Sequence, residues 1–159
     1  MEHYNGDEKK ALIAKAKTYL QPFFDWFGDW TDPEATNVSK VVDENGEPLV
    51  VWHGTDTNIH EFDYTDGREF SPGFFFTSDK NYAKNVAINK ANGNILIPVY
   101  LNIKRPIATD TPIIGKEIES IYIYENNDKY DADGIIGHDL YTGEFLKSDG
   151  VEYVVNKPN

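Results

Sequence analysis

Three short stretches hold the residues best able to do chemistry. After the apolar run Leu49-Val50-Val51-Trp52, residues His53, Gly54 and Thr55 bring an imidazole, a bare backbone and a hydroxyl out together where the strand stops. Such a set can hydrogen-bond a ligand and let it approach the main chain. In Gly73-Phe74-Phe75-Phe76-Thr77, a wall of rings offers a surface on which a flat ring stacks. In Val151-Glu152-Tyr153-Val154-Val155, a lone carboxylate interrupts an apolar strand. Each has a plain alternative. A histidine closing a strand is more often a structural hydrogen-bonding group than a catalyst, and alternation alone divides Glu152 evenly between facing solvent and facing a site.

Composition removes other chemistries. The four histidines, His3, His53, His60 and His138, show no His-x-x-x-His or His-Glu-x-x-His spacing, so no metal is expected. Without cysteine there is no thiolate zinc site, cysteine nucleophile or disulfide framework. Lys plus Arg total 15 and Asp plus Glu 27, a formal net charge of −12. That excludes affinity driven by neutralising many phosphates. It leaves room for one small anion held by backbone N–H groups and one or two cations. No apolar run approaches the ~18 residues of a membrane span, and the opening MEHYNGDEKK is polar where a signal peptide is basic and then apolar. A cytoplasmic protein with no membrane partner is expected.

The elements that must position these residues fit one folded unit of 159 residues, whose 40% hydrophobic and 14% aromatic content supports a core despite the charge. From Asp7 to about Trp30, Leu12, Ala16, Tyr19, Leu20, Phe23, Phe24 and Phe27 recur at helical spacing, with Pro22 breaking the helix or starting a second one. The cluster Phe23, Phe24, Trp26, Phe27 and Trp30 is expected to pack as a lid on the main sheet. Lys40-Val41-Val42 and Leu49–Trp52 read as a hairpin turning at Asn45-Gly46. Phe74–Thr77 reads as a buried strand. Ser78 or Asp79 caps a helix with Tyr82, Ala83, Val86 and Ala87 on one face. Ile95–Ile103 is the strongest strand, and Pro98 puts it at an edge or a bulge. Residues 111–128 favour a helix, while 133–137 and 151–155 read as strands. The whole is α+β: an N-terminal helical segment, residues 1–36, packing on a mainly β unit, residues 37–159.

The order of these pieces resembles a known family. A strand ending His-Gly-Ser/Thr, a Gly-aromatic-aromatic-Phe strand leading into a helix, and a late Glu-Tyr-Val-Val strand are similar to the diphtheria-toxin and poly-ADP-ribose-polymerase class of ADP-ribosyltransferases, the His-Tyr-Glu clan. The closer likeness is to its phage and mobile-element branch, found in polyvalent proteins and toxin-like in character. There SKVVDENGEPLVVWHGT, GFFFTSDKNYAKNVA and IPVYLNIKRPI have recognisable counterparts. The likeness covers about residues 23–155. It implies a split, mainly antiparallel sheet and NAD as co-substrate. It also implies a cofactor-binding set of His53, Gly54, Thr55, Phe75, Phe76 and Tyr82. Gly54 clamps the nicotinamide carboxamide through its backbone with Thr55 nearby, His53 bonds an NAD ribose, Phe75 stacks on the nicotinamide, and Glu152 is the catalytic glutamate, with His53 beside it in the catalytic set.

Such parts suit the reaction. Breaking the bond from ribose to nicotinamide passes through an oxocarbenium-like state, which a carboxylate stabilises, while a stacking wall and a carboxamide clamp fix the leaving group and exclude water. The chain departs from the pattern in three places: Phe75 lacks the usual tyrosine hydroxyl, and Ala83 and Val86 stand where a serine and a second aromatic are expected, with Ser78 and Tyr82 close by. For the NAD diphosphate, Lys40, Arg68 and Lys80 are equal candidates. The implied function is mono-ADP-ribosyl transfer to a macromolecular acceptor; the −12 charge favours protein over nucleic acid, and RNA or DNA stays open through a local basic patch of Lys80, Lys84 and Lys90. The alternatives are a catalytically impaired binding module of the same fold and an NAD glycohydrolase. With the chain ending at Asn159, soon after the Glu152 strand, excision from a longer polypeptide is an expectation.

Overall fold

Glu152 stands in the interior of a six-stranded sheet. The computed structural model describes residues 6–62, 73–89, 92–112, 132–138, 148 and 150–155. Along the chain run α1 (Gly6–Tyr19), α2 (Gln21–Phe27), β1 (Val51–Thr55), β2 (Phe74–Thr77), α3 (Lys80–Asn89), β3 (Ile95–Val99), β4 (Pro106–Pro112), β5 (Gly134–His138) and β6 (Val151–Val155). The spatial order is β3-β1-β2-β6-β5-β4. Only β4 and β5 run parallel among the described residues. This is an α+β fold, with helices first and the sheet after them.

Branched and aromatic residues suit the pleat of β6, and β6 pairs on both sides: Thr77 and Gly137 both stand opposite Glu152. Register and alternation then sort the side chains. Trp52, Thr77, Glu152 and Gly137 form one transverse row, and with Gly54, Phe75 and Val154 they share the face covered by α3. Val51, Phe74, Phe76, Tyr153 and Val155 share the other face. There most of them join Val41, Leu101 and Ile103 in the main core. The joint between β1 and β2 is narrow, with Trp52↔Thr77 as its registered pair, and the sheet parts beyond it.

The proline of β3 sits where a missing N–H costs nothing: β3 is an edge strand and Pro98 is exposed. The strand is shorter than Ile95–Ile103, because after Val99 the chain leaves the ladder. Leu101 and Ile103 turn into the core, and the Ser39 hydroxyl donates to Leu101 O at 2.8 Å and accepts the Ile103 amide at 3.2 Å. The expected turn forms, with Gly46 at φ 79° and its amide on Asp43 O at 3.0 Å, but the expected hairpin does not: residues 40–42 are not a strand, Val42 makes only an isolated bridge to Pro48, and β1 pairs with β2 and β3 instead. The helix favoured over 111–128 begins inside β4, where Thr111 and Pro112 are extended, and its remainder lies outside the described residues.

Pro22 starts the second helix, where its missing N–H is not needed. That helix makes the aromatic packing. Phe27 is fully buried, which contributes about 1.5–3 kcal/mol. Phe24 stacks on Trp30 at 4.2 Å, and Phe23 meets Tyr100 edge-on at 5.2 Å. α1 differs from its expected role as an amphipathic helix. It buries no residue, and Leu12 and Tyr19 are 56% and 75% exposed. Its interior is spaced by lysines, and Lys17, which pairs with Asp29 and lies over the Phe24 ring, ties its last turn to the chain beyond α2.

Candidate active site

A cavity of about 380 Å³ opens between α3 and strands β1, β2 and β6. Its walls bring together five of the residues singled out from the sequence, His53, Gly54, Phe75, Phe76 and Tyr82, with Glu152. Trp52, Thr77, Ala83 and Val86 complete the lining. Thr55 is not part of it: that residue is buried opposite Ile95, and its hydroxyl accepts the Thr57 amide at 3.2 Å.

The sequence suggested that the strand stops at His53. It continues instead through Thr55, because β1 keeps an unbroken ladder with β3 from Val51↔Val99 to Thr55↔Ile95. His53 is therefore mid-strand, at the point where β1 parts from β2. There its side chain takes over from the missing ladder, with Nδ1 lying 2.7 Å from the Phe75 carbonyl oxygen. A carbonyl oxygen only accepts, so Nδ1 carries the proton and Nε2 is left as an acceptor. Phe62 and Phe76 flank the ring at 5.3 and 5.5 Å. Burial among them pushes the imidazole below its ordinary pKa, outweighing the upward pull of the bond to Phe75. The group at neutral pH is a neutral imidazole of fixed tautomer.

Gly54 lacks a side chain for a reason the sequence did not show. A Cβ there would lie 2.0 Å from the Ala83 carbonyl oxygen and 3.1 Å from the Ala87 nitrogen, so α3 rests directly on the β1 backbone. α3 is fixed in turn by Asp79, whose Oδ1 accepts the amides of Asn81 (2.9 Å) and Tyr82 (3.1 Å). Asp79 Oδ2 accepts the Ser148 hydroxyl at 3.0 Å, and the Val151 amide donates to Ser78 Oγ at 2.9 Å. The cap of α3 and the start of β6 are thus one hydrogen-bonded unit. This sets the height of Glu152 against the helix.

Glu152 does not point to solvent. It is 6% exposed, opposite buried Thr77 and Gly137 and at the cavity wall. Phe75, half-buried, presents a ring to the same space. Trp52 and Thr77 were not singled out from the sequence. Both belong to the transverse row of Glu152, which cross-strand register creates and a linear reading does not contain. Lys80 lies over the Trp52 ring, 4.5 Å from its centroid.

A buried carboxyl group, a half-buried ring and a strand backbone that no side chain can cover make a compartment for an organic group carrying a flat ring. The family comparison agrees with that chemistry: residues 43–156 match the family described as ADP-ribosyltransferase in polyvalent proteins. The chain belongs to that family, and ADP-ribosyl transfer is the activity the family carries. No curated protein and no solved structure gives a match. Among the described residues no cluster of three or more His, Cys, Asp or Glu side chains has the arrangement of a metal site, and no helix is long and apolar enough to cross a membrane.

Proposed function

We propose that this chain is a mono-ADP-ribosyltransferase that takes ADP-ribose from NAD, passes it to a protein acceptor and releases nicotinamide. The observation that carries the reading is Glu152 at 6% exposure in the wall of the cavity shared with Gly54 and Phe75. NAD supplies a bond between ribose and nicotinamide whose electron pair leaves with the nicotinamide while an acceptor's lone pair forms the new bond to the ribose. Everything else falls to the chain. Glu152 holds a ribose hydroxyl and places negative charge where positive charge develops, which is worth most in a site that excludes water. Phe75, with Phe76 and Tyr82 behind it, keeps the nicotinamide flat against β2. The Gly54 backbone takes the carboxamide. The Nε2 of His53 accepts a ribose hydroxyl, a role that needs the neutral tautomer its bond to Phe75 selects.

One feature favours a second reading, an impaired binding module: Val86 and Ala83 line the cavity where the resemblance expects an aromatic and a serine. Incubation with labelled NAD and a cell lysate separates the two. Transfer predicts label on a protein band, lost in Glu152→Gln, and free nicotinamide in step with it. Label on nucleic acid moves the acceptor class. Free ADP-ribose with no labelled macromolecule means hydrolysis, and no nicotinamide release means a binding module.

A further inference from the structure

The three candidate cations for the NAD diphosphate are not equivalent in the fold. Arg68 lies outside the described residues. Lys40 is on the far side of the sheet from Glu152, its amide bonded to Ile103 O at 2.7 Å between core residues Ser39 and Val41. Lys80 stands at the front cavity, its Nζ 4.5 Å from the centroid of Trp52, whose side chain is part of the lining. We propose that Lys80, held over Trp52 at the cavity rim, is the cation that takes the diphosphate of NAD. This rests on the function proposed above and adds the group that binds the anionic half of the substrate.

A chain of net charge −12 repels a diphosphate unless a local cation intervenes. The start of α3 does not supply the attraction, because two of its first free amides, Asn81 and Tyr82, are already taken by Asp79 Oδ1. The positive charge must then come from a side chain. An ammonium over an indole face is held by the ring quadrupole on one side and keeps its N–H donors for an anion on the other. Trp52 is thus a platform that narrows where the lysine charge stands, and it is in the same transverse row as Glu152. The row places anion recognition at its Trp52 end and the carboxylate two strands further along.

Binding of NAD, ADP and nicotinamide by calorimetry at low and high salt tests this. Lys80→Ala should weaken NAD and ADP by about tenfold, the size of one lost charge-assisted hydrogen bond, and flatten their salt dependence. Lys80→Glu should weaken them further, and Lys80→Arg should stay within about threefold of the parent, since the charge is kept. Nicotinamide, which carries no phosphate, should bind all four proteins alike. Lys84→Ala, one turn further along α3, should leave all three ligands unchanged. Parent-like binding of ADP by Lys80→Ala overturns the assignment, as does an equal loss in Lys84→Ala, which would mean diffuse charge. If the parent itself binds neither NAD nor ADP, the proposed function falls and this assignment with it. If the parent uses NAD and Lys80→Ala is indifferent, only the assignment falls.

Discussion

Among the described residues, cavities of nearly the same size lie on opposite faces of the sheet, one of about 380 Å³ in front, under α3, and one of about 360 Å³ behind, beside α2. The rear one is lined by Trp26, Phe62, Phe74 and Tyr100, with His60, Glu61 and Asn102 among its polar groups. Both are rich in rings, and Phe76 borders both. Volume and aromaticity therefore do not distinguish them. The front cavity differs in what surrounds its rings: a carboxyl group only 6% exposed, a strand backbone with no room for a side chain, and an imidazole of fixed tautomer. Each is costly to build into an interior, which is what marks a site rather than a packing gap.

The sharpest separation comes from Glu152. Glu152→Gln preserves shape and removes the charge, and it should lower transfer by about 10³-fold, the scale of losing one preorganised electrostatic contact. Tyr100→Ala, at a residue 44% exposed on the rear cavity, should change transfer by no more than about twofold, as surface substitutions do. Rates of nicotinamide release from both variants check the pair. Comparable losses would mean that the two faces do not divide as described.

Gly54→Ala tests the wall itself. Its Cβ would meet the Ala83 carbonyl oxygen at 2.0 Å, a backbone atom that cannot swing aside, so α3 must lift from β1. Denaturant unfolding should show a loss of about 1–3 kcal/mol, the usual cost of overpacking. Gly134→Ala is the milder comparison: its Cβ would meet the Ile103 Cδ1 and the Val154 oxygen at 2.9 Å, and the first of these is the end of a flexible side chain. A smaller loss at Gly54 than at Gly134 would show that α3 is not seated on β1.

Much of this was legible in the sequence, and what was missed has a common cause. Val151–Val155, Phe74–Thr77, the Asp79 cap, the Gly46 turn and the edge position marked by Pro98 depend on neighbours within a few residues, so local chemistry identified them. The gathering of His53, Gly54, Phe75 and Glu152 was expected through a resemblance, and their spacing alone did not imply it. What stayed hidden depends on partners distant in the chain. The continuation of β1 through Thr55 requires β3, the emptiness at Gly54 requires Ala83, and the row of Trp52, Thr77 and Glu152 requires register between three strands. The exposure of Leu12 in α1 is the converse: helical spacing was present, but no partner covers that face among the described residues.

Phe74 and Phe75 are adjacent on β2, both half-buried, and face opposite cavities. They compare the two sides with residue type held constant. Phe74→Leu and Phe75→Leu should cost similar stability, each under about 1.5 kcal/mol, as swaps between hydrophobic residues do. Only Phe75→Leu should raise the KM for NAD, by up to about tenfold, the value of one aromatic stack. Equal KM values for the two variants would remove Phe75 from the ring-binding role.

The smallest effect is carried by His53, the group at the seam between the faces. Its folded pKa lies below the unfolded value of 6.5, burial being the main cause, so on acidification the unfolded chain takes up this proton first. Stability from this group is therefore complete above pH 6.5. It is lost as pH falls from there toward the folded pKa, by at most about 1.4 kcal/mol per pH unit for one proton. His53→Asn keeps a donor near Nδ1 for the Phe75 carbonyl and titrates nowhere in this range. Unfolding curves at pH 7.5 and 5.5 should then show a steeper loss for the parent than for the variant. His53→Gln keeps an acceptor near Nε2 and gives up the bond to Phe75, so it should lose stability at both pH values while holding NAD better than His53→Asn does. If the two variants rank the other way for NAD, the imidazole serves the fold through Phe75 alone, and the front cavity does not use its outer nitrogen.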